Sequence, residues 1–358
     1  MKILFVDLMS PLGHKNYNYG ILRPLCESND VELLIRKNFL NTKEQGIKVK
    51  KTHFIPDKYI PELMKKNYKN INAFKFMYRL QQYRLVKWIY RNFEIESFDV
   101  VLFSSVDIIS FSLAMKQNRT RVLFVDHGIS DIGKSRVKKF FWNRLDLALE
   151  LIVLEPYIKK YMEEKVRIKN KIWVVPHPLP SIEFEKYRKN NSNNKKLIFA
   201  PGLGNDEGFI NYLITNYQNI PENYEIIIRS RKQSVKCGNL TVYEKRIDDD
   251  EYYGNFLKSE YVLLPYTDHY NYKTSGVFFE AVYIKKPILL RNNNTLKYYN
   301  KMFPGIITTF DKYDDFFQLI NQYDRTEGIN EDVFEESLEY YSYISIREKL
   351  NRILENNN

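Results

Sequence analysis

The chain opens on an unbroken apolar run, Ile3-Leu4-Phe5-Val6, then passes through a loop with Gly13 and Gly20 into apolar residues at helical spacing, Ile21, Leu22 and Leu25. This order predicts strand, loop, helix. Short β-branched runs of the same kind return at residues 31–35, 100–103, 122–125, 151–154 and 172–175, with Glu32 the one polar side chain among them. Strands that are apolar on both faces are covered by helices on both faces, so the runs predict a parallel sheet interleaved with helices. The alternation stops at Pro178, Pro180 and the polar tract 189–196, and residues 181–196 are predicted to be a linker.

Beyond the linker the alternation starts afresh. Strands are predicted at 197–200, 224–228, 240–243, 261–264, 287–290 and 306–309, and helices at 208–217, from about Asp250 and from Ser275. The economical reading is α/β: two tandem Rossmann-like, doubly wound domains, 1–180 and 197–330. Apolar and aromatic residues at Val333, Leu338, Tyr341, Ile344 and Leu350 in an acidic stretch predict that 331–358 closes the chain as one or two amphipathic helices.

A length of 358 residues agrees with two cores of about 150 to 200 residues each. The two cysteines, Cys26 and Cys237, exclude a disulfide framework or a cysteine-rich zinc site. No run approaches the roughly 20 apolar residues of a membrane span, and the start leads into a strand rather than a signal peptide, so a cytoplasmic protein is expected. The net charge of +11 is uneven. Residues 1–200 hold 37 Lys and Arg against 20 Asp and Glu, whereas 201–358 hold 18 against 24. The basic first part suits a polyanion, a phosphorylated substrate or the anionic inner face of a cell membrane.

In an open parallel sheet the ligand lies beyond the carboxyl ends of the strands. Ser10, Pro11, Gly13 and His14 follow the first run; Asp126, His127 and Gly128 follow the run at 122–125; Pro176, His177 and Pro178 follow the run at 172–175. Three of the five histidines thus fall at strand ends. His127, with Asp126 beside it, is the candidate for catalysis, since an imidazole can accept or donate a proton near neutral pH. Gly13 and His14 are candidates for holding an acceptor. A histidine bonded only to loop backbone is the plain alternative at each place.

In the second domain the segment Thr274-Ser275-Gly276 leads into a helix that carries Glu280. A helix start capped by Ser275 offers free N–H groups and partial positive charge to a diphosphate, and Glu280 could accept from the hydroxyls of an attached ribose. A glutamate on the solvent face of the helix is the competing reading. Arg229 follows the strand at 224–228, with Arg231 and Lys232 beyond it, and could neutralise a leaving diphosphate. The loop Pro201-Gly202-Leu203-Gly204 leaves room for a ligand. Asp248, Asp249 and Asp250 invite a metal reading, but acids before a helix are favoured by its dipole, and no metal ligand is assigned. Residues 65–91 hold eight basic side chains and no acid, among aromatics. There Phe74, Met77, Tyr78, Leu85, Trp88 and Ile89 can share one helical face, which would lie on an anionic membrane or pack on the first sheet.

The stretch from Leu240 to Tyr243, then Ser259 to Tyr266, then Ser275-Gly276 through Glu280-Ala281 to Lys286-Pro287-Ile288-Leu289 resembles the GT-B glycosyltransferases, most closely family 4, which builds bacterial polysaccharides. The resemblance is looser in the first domain, through its opening strand and Asp126-His127-Gly128. It implies a metal-independent enzyme that takes a nucleotide sugar as substrate, needs no cofactor and does not bind nucleic acid. The donor would lie on Glu280, Ser275, Gly276, Thr274, Arg229 and Gly202, and the acceptor would be a glycan or a polyprenyl-diphosphate-linked oligosaccharide. Eight positions before Glu280, where retaining members usually carry another glutamate, stands Tyr272; Pro201-Gly202 and Glu207-Gly208 stand where an Arg and a Lys are usual. A nucleotide-sugar epimerase on the same scaffold and a basic nucleic-acid-binding module are the alternative functions.

Overall fold

The computed structural model describes residues 1–358 apart from 9–13, 60–70, 116–118, 126, 128, 146–148, 181, 188–194, 293, 323–330 and 357–358. The chain divides into two compact units, one comprising 1–178 with 343–358 and the other 179–342.

In the first unit the strands are β1 (Lys2–Asp7), β2 (Asp30–Ile35), β3 (Lys51–Phe54), β4 (Val100–Ser105), β5 (Arg121–Val125), β6 (Glu150–Val153) and β7 (Ile172–Val174). They form one parallel sheet in the order β3-β2-β1-β4-β5-β6-β7. Strand order reverses between β1 and β4, the place where such sheets open a crevice at their carboxyl edge. Helices α1 (Lys15–Ser28), α2 (Ile71–Asn92), α3 (Ile108–Ala114), α4 (Arg136–Trp142) and α5 (Pro156–Tyr161) connect the strands. One face of the sheet, with Leu4, Val6, Val101, Phe103 and Phe124, packs against α2 to α5; the other, with Ile3, Phe5, Leu102, Leu123 and Val125, packs against α1. Each such side chain taken out of water contributes about 1.5 to 3 kcal/mol, which explains why the runs are apolar almost throughout; Glu32 of β2 is paired with His53 of β3 at 2.7 Å.

The second unit repeats the plan. Its strands are β8 (Lys196–Ala200), β9 (Tyr224–Arg229), β10 (Val235–Cys237), β11 (Leu240–Tyr243), β12 (Ser259–Leu264), β13 (Ile288–Arg291) and β14 (Ile307–Phe310), in the order β10-β11-β9-β8-β12-β13-β14. All pair in parallel except the short edge strand β10, which runs antiparallel to β11. The order reverses between β8 and β12. Helices α6 (Glu207–Thr215), α7 (Asp249–Lys258), α8 (Gly276–Tyr283), α9 (Asn294–Met302), α10 (Tyr313–Gln322) and α11 (Glu331–Tyr340) complete the layers, with α7, α8 and α11 on one face of the sheet and α6 and α10 on the other. The last helix, α12 (Tyr343–Glu355), belongs to the first unit, where Ile346, Leu350, Ile353 and Leu354 join the α1 face and the Arg121 guanidinium donates to the Ile353 carbonyl at 2.7 Å. Arg121 is held for that contact by a two-pronged pair with Glu150, at 2.5 and 2.7 Å.

Three local features depart from the sequence reading. Gly20 lies inside α1, because a Cβ at that position would strike Pro178. The polar edge strands β3 and β10 and the helices α9 and α10 are additional to the predicted elements. The predicted apolar face of α2 is fully buried only towards its end: Leu85 and Ile89 lie in the core and Trp88 packs against it, whereas Met77 and Tyr78 are half-buried. Residues 65–70 of the basic segment lie outside the described residues. Among the described residues no helix is long and apolar enough to cross a membrane.

Candidate functional site

At the carboxyl edge of the first sheet, three of the predicted positions converge. His14 ends the loop after β1, His127 follows β5, and His177 follows β7. The His14 and His127 rings lie 3.7 Å apart, centroid to centroid, at 31°. Tyr17, one turn into α1, meets His127 edge-on at 4.4 Å and His177 at 5.3 Å. His14 reaches this position through a left-handed backbone (φ 66°), a conformation uncommon for a residue with a side chain, and its carbonyl accepts from the Asn18 amide at 2.7 Å to start α1. The His177 Nδ1–H donates to the Pro178 carbonyl at 2.7 Å, which fixes its ring against the loop.

Burial governs the protonation of the cluster. It lowers His14 and His177 to about 4, and it pushes His127 well below its ordinary value, with charge repulsion from the other two adding to the effect. All three are neutral near pH 7. Nε2 of His127 and the hydroxyl of Tyr17 are buried with no hydrogen-bond partner among the described residues. A buried polar atom without a partner costs about 1 to 3 kcal/mol, so such atoms concentrate where something else is to be bound. Asp126 and Gly13, named with His127 and His14, lie outside the described residues, as do Ser10 and Gly128.

The second constellation occupies the carboxyl edge of the other sheet at its switch point. Ser275 caps α8: its hydroxyl accepts from the Phe278 amide at 3.3 Å and shares a 2.9 Å hydrogen bond with the buried Tyr266 hydroxyl. Thr274 precedes the cap, and a Cβ on Gly276, the first residue of the helix, would meet nothing within 4 Å. The helix start therefore faces open space, with its first N–H groups unspent on side chains other than Ser275. Glu280 is half-buried one turn further on and accepts from the Tyr252 hydroxyl of α7 at 2.8 Å. No cation pairs with it among the described residues, and burial outweighs the Tyr252 bond, raising the carboxyl to about 7.

Arg229 ends β9 directly beside Tyr243, its registered neighbour on β11. Its Nε is buried without a partner, whereas Arg231 is engaged: the Arg231 amide donates to Glu207 at 2.7 Å and its guanidinium lies 3.5 Å from the same carboxylate. Arg229 pairs with no acid among the described residues. A Cβ on Gly202 would come within 2.6 Å of the Tyr266 hydroxyl, and one on Gly204 within 2.6 Å of the Tyr270 ring, so these glycines let the two tyrosines pack onto the loop. Tyr266 and Tyr270 pack against each other at 4.3 Å over this loop, and Asn205 ties the ends of β8 and β9 by donating to the Ala200 and Arg229 carbonyls at 2.8 and 3.0 Å. Asp248 is the N-cap of α7, accepting from the Glu251 amide at 2.8 Å, and Asp249 pairs with Arg246 at 3.0 Å.

Three contributors went unnoticed in the sequence: Tyr17, Tyr252 and Tyr266. Tyr17 could have been found by its one-turn spacing from His14. Nothing in the sequence ties Tyr252 to Glu280, which are 28 residues apart and meet only because α7 and α8 pack on one face of the sheet.

No protein-family profile matches the chain, and no curated protein sequence matches it. Solved structures do, over nearly its whole length. HepE of Anabaena in complex with UDP-glucose is 13% identical, with a TM-score of 0.63, and 99% of each chain is covered. An E. coli trehalose-6-phosphate protein bound with UDP-2-fluoro glucose is 11% identical, with a TM-score of 0.71 and all of both chains covered. A UDP-forming α,α-trehalose-phosphate synthase from Burkholderia xenovorans is 9% identical, with a TM-score of 0.66, and 99% of this chain and 98% of that one are covered. At such identities the likeness speaks to architecture alone: the chain has the two-domain Rossmann-like fold of the GT-B glycosyltransferases, closed by C-terminal helices.

Proposed function

We propose that the protein is a glycosyltransferase that moves a sugar from a nucleotide-sugar donor to a polysaccharide or lipid-linked oligosaccharide acceptor. The observation that carries this reading is the grouping in the second unit of an open, capped helix start at Ser275 and Gly276, an uncompensated Arg229 and a half-buried Glu280 whose sole partner among the described residues is Tyr252. An anion, a second anionic oxygen and a pair of hydroxyls are the groups such an arrangement serves, and a nucleoside diphosphate carries all three. The nucleotide-sugar ligands named for solved structures of the same fold support it.

In this reading the bond between the anomeric carbon and the diphosphate breaks, and the negative charge left on the diphosphate is met by the α8 N–H groups and Arg229. The acceptor hydroxyl attacks the same carbon and passes its proton to the departing diphosphate oxygen or to Nε2 of His127. His127, neutral near pH 7 and with a buried Nε2 lacking a partner, is suited to hold a sugar or acceptor hydroxyl. His14 and Gly13 would help seat the acceptor, and Asp126 would act beside His127. No metal is required, because fixed protein groups provide the charge stabilisation. The donor needs no cofactor, and the basic first unit would meet an anionic membrane from the cytoplasmic side.

Incubation with a panel of nucleotide sugars and a lipid-linked glycan, read as release of nucleoside diphosphate and growth of the glycan, tests the reading. Transfer that persists in EDTA is expected. Conversion of the free nucleotide sugar to an epimer, with no acceptor consumed, would assign the scaffold to the other chemistry.

A further inference from the structure

The carboxyl edge of the first sheet holds more polar chemistry than its histidines. Around the ends of β1 and β4, where strand order reverses, four side chains that are at most 1% exposed each keep a polar atom without a hydrogen-bond partner among the described residues. These atoms are the Tyr17 hydroxyl and Asn18 Oδ1 of α1, Gln82 Oε1 of α2 and Ser104 Oγ near the end of β4. Nε2 of His127, whose ring Tyr17 meets edge-on, is a fifth. The backbone brings the group together. Asp7, the last residue of β1, is in register with Ser105 of β4 and accepts from Asn18 Nδ2 at 2.6 Å, and the carbonyl of the next residue, Leu8, accepts from Gln82 Nε2 at 3.0 Å.

Those two bonds decide which way the amides face. A carboxylate and a carbonyl only accept, so each amide gives them its NH2 group and keeps its oxygen for a donor. A ligand that satisfies both oxygens must therefore bring donors of its own, and a phosphate dianion brings none. The charges nearby act in the same direction. Asp107 caps α3 by accepting from the Ser110 amide at 2.9 Å and lies 3.8 Å from the Arg79 guanidinium. Tyr78, one turn before Gln82 on α2, has its hydroxyl held above the ordinary value by burial first and then by the Asp107 and Asp7 carboxylates. The imidazoles of His14, His127 and His177 are neutral near pH 7. An anion placed here would meet carboxylates and neutral rings.

We propose that this edge of the first unit is a subsite for an uncharged sugar ring of the acceptor, whose hydroxyls donate to Asn18 Oδ1 and Gln82 Oε1 and exchange hydrogen bonds with Tyr17, Ser104 and Nε2 of His127. Adjacent hydroxyls of a pyranose both donate and accept, which is what two amide oxygens, two hydroxyls and a neutral imidazole together lack. None of the five groups is a cation, although the first unit is rich in lysine and arginine, so its basic character does not extend to this subsite. The inference rests on the glycosyl-transfer reading and narrows it: the acceptor is recognised here through a neutral sugar and not through a phosphate.

The experiment titrates the full chain, without donor, with methyl glycosides of neutral hexoses, of N-acetylhexosamines and of a hexuronate, read by saturation-transfer NMR. Saturable binding of at least one neutral glycoside is expected, indifferent to salt and about tenfold or more tighter than that of the hexuronate. Tyr17→Phe and Ser104→Ala are each expected to weaken it about tenfold. Their melting temperatures should stay level or rise, because each substitution removes a buried hydroxyl that has no protein partner, and their affinity for nucleotide sugars should not change. Absence of neutral-glycoside binding, tighter binding of the hexuronate, or variants that melt earlier with glycoside affinity intact would overturn the proposal. Variants that lose donor affinity and keep glycoside affinity would also overturn it, by giving the subsite to the transferred sugar. Failure of nucleotide-sugar binding alone, with glycoside binding retained, would remove the glycosyl-transfer reading and leave the sugar subsite standing.

Discussion

The Tyr252 hydroxyl donates to Oε2 of Glu280 at 2.8 Å, joining α7 to α8 directly beneath the helix start that Ser275 caps. A tyrosine is a weak counterpart for a buried carboxylate. It cannot balance the charge, and the proton is accordingly held up to about pH 7 rather than the ordinary 4.5.

Stability should register that proton. Between about pH 4.5 and 7 the folded chain binds it and the unfolded chain does not, so the contribution of Glu280 falls as the pH rises through this window, by at most about 3 kcal/mol. Glu280→Gln has no such proton. Urea unfolding at pH 5 and pH 8 should show the variant gaining on the parent at the higher pH; parallel behaviour of the two at both pH values would contradict a buried, raised carboxyl.

The histidine cluster has the opposite sign. Its members are held neutral, so the unfolded chain takes up protons first as the pH drops below 6.5, and stability is lost progressively between about pH 6.5 and 4. His14→Gln and His177→Gln should each make the acid-side decline shallower. His127→Asn should in addition cut turnover by about 10²-fold or more while donor affinity and melting temperature change little, the usual scale for a positioned proton donor or acceptor. Normal turnover in His127→Asn would reduce it to a loop histidine.

Gly202→Ala tests the packing of the switch-point loop. The new methyl would stand 2.6 Å from the Tyr266 hydroxyl, so the ring must move and its bond to Ser275 Oγ must lengthen or break. A loss of about 1 to 3 kcal/mol in stability is expected. Partial recovery in Gly202→Ala/Tyr266→Phe, which removes the clashing hydroxyl but leaves a ring carbon 2.9 Å from the methyl, would be the signature; an unaffected single variant would show the loop to be slack.

Much of this architecture was legible because parallel strands buried on both faces must be apolar throughout, as in Ile3-Leu4-Phe5-Val6 and Val122-Leu123-Phe124-Val125. The same logic hides the edges. β3, Lys-Thr-His-Phe, faces water on one side and carries no such run, and β10 is three residues long. The sequence also placed histidines at strand ends and a serine before a helix, since both follow from local order along the chain. What it could not supply were the pairs made by packing: Tyr252 with Glu280, Tyr17 with His127, and the Tyr266 and Tyr270 rings over Gly202 and Gly204. The sequence set Arg229, at the end of its strand, apart from Arg231, but the pairing of Arg231 with Glu207 could not be read from it.

Calorimetric titration of the full chain with UDP- and GDP-sugars, repeated on Arg229→Ala and Glu280→Gln, addresses most directly whether the second unit holds a nucleotide sugar. Saturable binding of at least one donor is expected, weakened in each variant by about 1.5 to 3 kcal/mol, the worth of one charged hydrogen bond, with the melting temperature of the unliganded Arg229→Ala protein unchanged. Binding that is absent across the panel at millimolar donor, or that is indifferent to both substitutions, would contradict it.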